Sequence, residues 1–428
     1  MFTINGIEEN PKLGYYRVGE EIFYSKPQAY IRATELGFTP KWVFNPREFA
    51  QFDWSHEPES DLRELYRLRA LQLREKYDYI RLECSGGGDS TTAAFAFLLN
   101  GIHLDEVVFR YPKQLDKDVV YDPFNTLPEN TLGEWEYAAK PLLHWIKTNY
   151  PNTKVTFYDY SENLLNDPYM KDESWVFTTR DWFQPGHGVK FGNFGTTEHR
   201  NLAETGQSIC VVYGIDKPKI ALINDEWYVF FIDVQPNNPN PIIGDYTNIT
   251  SELFYWTPDM PEIVAKQAHM IRQWFDLPHN QQFKHITLFP NLGRRHRTTY
   301  ENMVKSIIYH DYDQRTWQTA KPTNSFYNEM DHWFHINMKD TNIYSAWTSG
   351  LKFVVDKIDK KFLLKEAGEP VGLTLNFSPF YYLGHSTGNM IKPRVKNRDI
   401  FNNLQAYNNN NKQEIIVCKD KKIQKITI

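Results

Sequence analysis

The stretch that most constrains this chain is Arg81-Leu82-Glu83-Cys84-Ser85-Gly86-Gly87-Gly88-Asp89-Ser90-Thr91-Thr92. It joins a strand-like run, Tyr79 to Leu82, to a helix-like run, Thr91 to Leu99, that closes at Asn100-Gly101. A strand, a glycine-rich turn and a helix start in succession make a cradle for an anion. The consecutive glycines let the backbone approach a ligand closely and adopt φ > 0. Successive N–H groups in such a turn converge on negative charge, and the helix N-terminus adds unpaired donors and a favourable dipole. Ser85, Ser90 and Thr91 supply hydroxyls. Asp89 is the odd member, because a carboxylate repels phosphate. It fits if it holds magnesium, which takes one or two carboxylates together with phosphate oxygens. The alternative is a plain glycine-rich turn with an N-capping serine.

Two familiar phosphate loops are excluded. No Gly-Lys-Ser/Thr follows at Walker A spacing, and the Gly-x-Gly-x-x-Gly dinucleotide spacing is absent. Ser85-Gly86-Gly87-Gly88-Asp89-Ser90-Thr91 instead resembles the Ser-Gly-Gly-x-Asp-Ser-Ser/Thr signature of the PP-loop ATP pyrophosphatase superfamily. That group includes the synthetase domain of asparagine synthetase, GMP synthetase, tRNA-lysidine synthetase, sulfurtransferases and PAPS reductase. The resemblance covers about residues 76 to 235. It implies an α/β fold of the adenine nucleotide alpha hydrolase-like kind, a parallel sheet with helices on both faces. It also implies ATP and Mg2+ as cofactors and cleavage of ATP to AMP and pyrophosphate. Carried onto this chain, it makes Asp89 and Ser90 the catalytic pair, Ser85 to Thr91 the nucleotide cradle and Asp89 a metal ligand.

The order of elements fits such a sheet. After the cradle, Leu104 to Tyr111 reads as a second strand, Leu132 to Asn149 as a helix, and Val155 to Tyr158 as a third strand. Strands alternating with helices predict a parallel sheet covered by helices. Ligands then bind at the carboxyl ends of the strands, where Arg110 is a candidate contact to phosphate. A fourth strand, Ile209 to Tyr213, runs into Gly214-Ile215-Asp216-Lys217-Pro218. It sets a second carboxylate, Asp216, at a strand end, either as a metal ligand or as an Asx-turn residue closing the strand. Lys217 or Lys219 is placed to neutralise pyrophosphate.

The rest of the chain carries less chemistry. Residues 1–60 read as a cap, with a hairpin around Gly19-Glu20 and a helix from Lys26 to Leu36. Residues 61–235 form the ATP-binding unit, opened by a helix that Asp61 caps in a capping box with Glu64. The proline- and asparagine-rich 235–250 reads as a linker. Residues 250–400 read as a mostly helical, aromatic accessory or substrate region, with helices at Met260 to Phe275, Met303 to Ile308, Asn328 to Phe334 and Ala346 to Lys357, the last extending over Lys360 to Ala367. Residues 166–195 read as a loop or lid, Ser378 to Tyr382 as an aromatic loop, and 401–428 as a tail whose Glu414–Cys418 and Ile423–Ile428 pair as an edge hairpin. Basic clusters at 294–297 and 392–398 leave nucleic acid open as a partner, although the net charge of −5 gives no global nucleic-acid footprint.

Only three cysteines occur, Cys84, Cys210 and Cys418, and none lies in a C-x-x-C pair. That points to a reducing, cytoplasmic setting, and because the resemblance implies a cysteine pair in the sulfur-transferring members, it points away from sulfur transfer. Position 2 is Phe, so the glutaminase module of asparagine synthetase, which exposes a cysteine there, is not expected. The reading favoured is an AMP-forming ligase or amidotransferase. It adenylates a carboxyl or carbonyl group of a small-molecule or nucleobase acceptor, with ammonia or an amine from a separate donor and no membrane association. The alternatives are a nucleobase- or tRNA-modifying PP-loop enzyme and a catalytically inactive nucleotide- or protein-binding PP-loop protein.

Overall fold

The structure is a computed structural model that describes residues 11–111, 134–159, 173–177, 183, 201–233, 248–288, 294–311, 334–366, 369–388 and 414–427. The expected lid at 166–195, apart from 173–177 and residue 183, the expected helix at 328–334, apart from residue 334, and the basic cluster at 392–398 lie outside the described residues.

The N-terminal segment builds a small antiparallel sheet in the order β2-β1-β3 from β1 (Tyr15–Val18), β2 (Glu21–Phe23) and β3 (Lys41–Val43). Helix α1 (Lys26–Leu36) starts at Ser25, whose hydroxyl accepts from Gln28 N–H, and stops at Gly37 in the left-handed region. Helix α2 (Pro46–Gln51) follows. Its Phe49 joins Phe44, Trp54, Phe231, Trp256 and Tyr381 in one aromatic cluster, with Phe49 stacked on Phe231 at 4.8 Å between centroids. The N-terminal segment therefore packs on elements almost 200 and more than 300 residues further along.

Helix α3 (Leu62–Lys76) begins where expected. Asp61 accepts from Glu64 N–H at 2.9 Å. Glu64 does not reach back to complete a capping box, because its carboxylate is held by Arg67.

Five parallel strands then form the main sheet: β4 (Tyr79–Glu83), β5 (Glu106–Tyr111), β6 (Lys154–Asp159), β7 (Ile209–Tyr213) and, later in the chain, β10 (Ile249–Leu253), in the order β10-β7-β4-β5-β6. This is the α/β class expected, with α3, α4 (Gly88–Leu98) and α5 (Lys140–Asn149) packed on it. A π-helical turn, Glu134–Ala139, leads into α5. Centre strands β4 and β7 are buried on both faces, as parallel strands between helices must be.

The fifth strand corrects the sequence reading, which ended the sheet at 213 and ran a linker to 250. β10 has a polar sequence, Ile-Thr-Ser-Glu-Leu, and hides a charge. Glu252 accepts from Arg69 (3.1 Å), Lys76 (2.6 Å) and Tyr77 (2.7 Å). Burial would raise its carboxyl, but Arg69, Lys76 and Tyr77 outweigh that and hold it at about 2.

A second five-stranded sheet has the order β15-β14-β13-β9-β8. It draws β8 (Lys219–Ile223) and β9 (Glu226–Phe230) from one part of the chain, and β13 (Phe380–His385), β14 (Glu414–Lys419) and β15 (Lys422–Thr427) from another. The aromatic stretch read as a loop at 378–382 thus enters a strand, and the terminal hairpin forms as expected at an edge, β14 pairing with β15 at the border of this sheet. Helices α6 (Glu262–Asp276), α7 (Arg294–Ile308) and α8 (Asn342–Lys357) lie in the later region. The basic run 294–297 is the first turn of α7. Where α8 was expected to extend, a short 3-10 turn at Lys360–Phe362 leads into β11 (Leu363–Glu366), paired with β12 (Glu369–Leu373). No helix among the described residues is long and apolar enough to cross a membrane.

Candidate functional site

The chain lays β4, β5 and β6 down in one direction across the main sheet, then returns to place β7 and β10 on the other side of β4. The strand order therefore reverses between β4 and β7, and it is at the carboxyl ends of strands at such a switch point that α/β sheets bind ligands. Glu83 lies opposite Tyr213 in this register. The loop after β4 is the glycine-rich cradle, and the loop after β7 is Gly214-Ile215-Asp216-Lys217-Pro218. The two segments that the sequence singled out meet at the switch point.

Close backbone approach explains two of the glycines. Gly86 has φ +72°, and a Cβ there would lie 2.6 Å from Ala139 N and 2.7 Å from the Ala138 carbonyl carbon, at the end of the π-helical turn. A Cβ on Gly214 would lie 2.8 Å from Ser90 Cα, so the β7 loop rests directly on the first turn of α4. The cradle braces itself with its own hydroxyls. Ser90 Oγ accepts from Ser85 N–H (3.2 Å), Ser85 Oγ accepts from Gly87 N–H (3.4 Å), and Ser90 Oγ lies 3.3 Å from the Gly87 carbonyl, which can accept its proton. The N-cap of α4 is Gly87 and offers no side-chain acceptor. The first intrahelical bond is Thr91 N–H to the Gly87 carbonyl, so the N–H groups of Gly88, Asp89 and Ser90 precede the helical ladder. Thr91 is fully buried, and its hydroxyl has no hydrogen-bond partner among the described residues.

A row of alternating charges crosses the switch point. Lys217 Nζ donates to Asp89 Oδ2 (2.8 Å) and Oδ1 (3.0 Å) and lies 2.8 Å from Asp216 Oδ1. Lys219 Nζ donates to Asp216 Oδ2 (2.9 Å) and to Glu301 of α7 (3.0 Å). Burial raises the Asp216 carboxyl, but Lys217 and Lys219 outweigh it and hold the group well below the usual carboxylate range. Burial likewise pulls Lys217 down, and Asp216, Asp89 and Glu301 together hold it well above the ordinary lysine value. Lys217 is therefore a fixed positive charge and not a proton acceptor near neutral pH.

Aromatic hydroxyls support the row from below. Tyr309 donates to Asp89 Oδ1 and Tyr255 donates to the Asp89 carbonyl (2.7 Å). Tyr300 donates to the Pro218 carbonyl (2.6 Å). Burial first, and the charge of Asp89 next, push the Tyr309 hydroxyl well above its ordinary value, so it stays a donor. Tyr255, Tyr300, Glu301 and Tyr309 were not singled out by the sequence reading. They come from β10, α7 and their flanks, and no local motif marks them.

Arg110 sits at the strand ends as expected but is already engaged. Its guanidinium makes two 2.9 Å hydrogen bonds to Glu83 and lies over the Tyr158 ring. The structure thus brings Ser85 to Ser90, Asp216 and Lys217 together and leaves Arg110 in a neighbouring ion pair. Cys84 is a buried strand-end residue with Sγ 3.7 Å from Ser90 Oγ.

Among the described residues no group of three or more His, Cys, Asp or Glu side chains is placed to hold a metal ion. The donors present are hard oxygens, the carboxylates of Asp89 and Asp216 and the hydroxyls of Ser85 and Ser90. Such a set suits magnesium bound jointly with phosphate. The helix N-terminus with no side-chain cap suits the phosphates. No protein-family model matches the chain, and no curated protein sequence matches it.

Proposed function

We propose that this chain is a PP-loop enzyme of the adenine nucleotide alpha hydrolase-like class that cleaves ATP to AMP and pyrophosphate to activate a carboxyl or carbonyl group. The observation that carries the reading is the meeting, at the sheet's switch point, of the uncapped N-terminus of α4 with Asp89, Asp216 and Lys217.

The residues divide the work as follows. The N–H groups of Gly88, Asp89 and Ser90 face the departing pyrophosphate. They stabilise its growing charge without reorganising, because α4 already fixes them. The Ser85 and Ser90 hydroxyls hold the loop in shape. Lys217 supplies a fixed positive charge beside the cradle. Asp89 and Asp216 would hold magnesium, which when bound neutralises phosphate oxygens during transfer. An oxygen of the acceptor attacks the α-phosphorus, pyrophosphate leaves, and an amine then displaces AMP from the activated carbon. Transfer of this kind depends on positioning and charge, so no nucleophilic side chain is required. The acceptor is a small molecule or nucleobase and the amine comes from a separate donor.

A second reading has its own support. Lys217 already occupies both carboxylates, which suits a protein that binds nucleotide without metal-assisted chemistry. One experiment separates the two. Incubation with α-labelled ATP, magnesium and a metabolite extract is expected to yield labelled AMP. Asp89→Ala is expected to lower that yield at least about a thousandfold, the scale of removing one transition-state stabiliser, with an unchanged circular dichroism spectrum. Labelled ADP, or tight binding without cleavage, overturns the enzymatic reading, and an active Asp89→Ala protein overturns the site assignment.

A further inference from the structure

We infer that the Lys217 ammonium is an internal counter-cation that keeps Asp89 and Asp216 closed to a divalent metal until a polyphosphate draws it away. This rests on the proposed nucleotide site and concerns its order of filling. The geometry is that of an occupied cation position. One nitrogen stands 2.8 Å from Asp89 Oδ2, 3.0 Å from Asp89 Oδ1 and 2.8 Å from Asp216 Oδ1. These contacts account for the three protons of an ammonium. Magnesium would need carboxylate oxygens at about 2.0–2.1 Å, in the space this nitrogen fills. The two cations repel each other and cannot share that position.

The neighbouring lysine cannot take over the task. Lys219 is held on its far side by Glu301, at 3.0 Å, and reaches only Asp216. Lys217 is the group that bridges both carboxylates, and its side chain is 6% exposed. A second acceptor lies close at hand. Asp89, one of the carboxylates gripping Lys217, belongs to the first turn of α4, where the N–H groups of Gly88, Asp89 and Ser90 precede the helical ladder. An anion bound to those groups would compete for Lys217. Once Lys217 turns to phosphate, Asp89 and Asp216 each lose their shared cation and become ligands for the metal. Tyr309 remains on Asp89 Oδ1 and holds that carboxylate in place. Metal and nucleotide thus bind together or hardly at all, a coupling that must be reciprocal.

The test uses the full chain, Mn2+ as the metal probe and α,β-methylene-ATP as a polyphosphate that cannot be cleaved at the relevant bond. Direct binding is followed by Mn2+ electron paramagnetic resonance. Wild type is expected to bind Mn2+ alone at least tenfold more weakly than it does with the analogue, after correction for Mn2+ held by the free analogue. Lys217→Met is expected to bind Mn2+ alone at least tenfold more tightly than wild type and the analogue more weakly. If Lys217→Met does not melt cooperatively, Lys217→Gln, which retains hydrogen-bond donors without the charge, carries the same comparison. Tight Mn2+ binding to wild type alone, or a variant whose Mn2+ affinity is no higher than wild type, overturns the inference. If wild type still cleaves ATP to AMP in that case, the proposed function stands and only the gate falls. Failure of wild type to bind the analogue overturns both.

Discussion

The aromatic cluster around Phe231 and the charged row through Lys217 each join segments far apart in the chain, but with forces of different tolerance. In the cluster, Phe44, Phe49, Trp54, Phe231, Trp256 and Tyr381 contribute area and shape, and no single partner is obligatory. In the row, every group has a named partner. Removing one leaves a buried charge unpaired, which is costly. The same property lets partners be exchanged when a ligand brings charge of its own. Burial holds the molecule together at the cluster, and pairing leaves it responsive at the switch point. The two regions should therefore fail differently.

The largest effect is expected at the cluster. Phe231 is fully buried and contacts Phe44, Phe49, Trp54, Trp256 and Tyr381. Phe231→Ala should cost about 3–5 kcal/mol by lost transfer energy and cavity formation. Denaturant melts should show the loss, while the surviving folded fraction binds α,β-methylene-ATP with wild-type affinity. A loss of nucleotide affinity in folded protein would break the contrast.

A pH experiment reaches the same cluster through His269. Arg272 Nε–H donates to His269 Nδ1 (2.9 Å), so the ring's own proton is on Nε2, facing the Trp54 carbonyl at 2.9 Å. Burial first, and Arg272 next, pull this histidine down to about 4. Its unfolded value is about 6.5, so between those values the unfolded chain binds more protons and stability rises with pH. Acidification from about pH 6.5 to about 4 should remove on the order of 3 kcal/mol. Glu252 contributes separately. Its lowered value means that its stabilisation is full above about pH 4.3 and is lost only below that, toward 2. Denaturant melts at pH 7 and pH 4.5 should differ strongly in wild type and far less in His269→Gln. Equal differences would assign the acid sensitivity elsewhere.

At the switch point the first break is steric. Gly86→Ala places a Cβ against the Ala138–Ala139 backbone at φ +72°, a conformation costing about 1–2 kcal/mol for a residue with Cβ. The cradle must move to admit it. Nucleotide affinity should fall at least about 30-fold, or about 2 kcal/mol, measured by calorimetry with the analogue. Wild-type affinity in Gly86→Ala would show that the cradle is not where phosphate binds.

What could be read from the chain beforehand follows the distance over which each feature is written. The cradle was legible because strand, turn and helix start lie within about twenty residues and each has its own local rule. Asp216 and Lys217 were legible as a strand end, but the sequence does not show that they face Asp89. The parallel sheet was visible as an alternation of elements, whereas β10 was not, since its buried Glu252 breaks the apolar pattern and is made tolerable only by Arg69, Lys76 and Tyr77 of another segment. Tyr309 and Glu301 were hidden for the same reason. Tyrosine and glutamate at the end and middle of a helix carry no signal until tertiary structure sets them against Asp89 and Lys219.

Whether the two regions are independent can be tested at Tyr66, a side chain placed between them. Tyr66 of α3 accepts from Gln267 Nε2 of α6 (2.8 Å) and donates to the Ile308 carbonyl at the end of α7 (2.8 Å), one residue before Tyr309. Its ring packs edge-on against Tyr255, which holds the Asp89 carbonyl. α6 also carries His269, which touches Trp54 of the cluster. Tyr66→Phe keeps the ring and removes only the hydroxyl, so stability should fall by about 1.5 kcal/mol for the buried groups left without a partner. If the regions are separate, that is the whole effect, and double-mutant cycles with Phe231→Ala and with Gly86→Ala should both be additive within about 0.5 kcal/mol. A larger coupling to Gly86→Ala in nucleotide binding would show that Tyr309 transmits the position of α6 to Asp89. Cluster and switch point would then be one mechanical unit built from two kinds of contact.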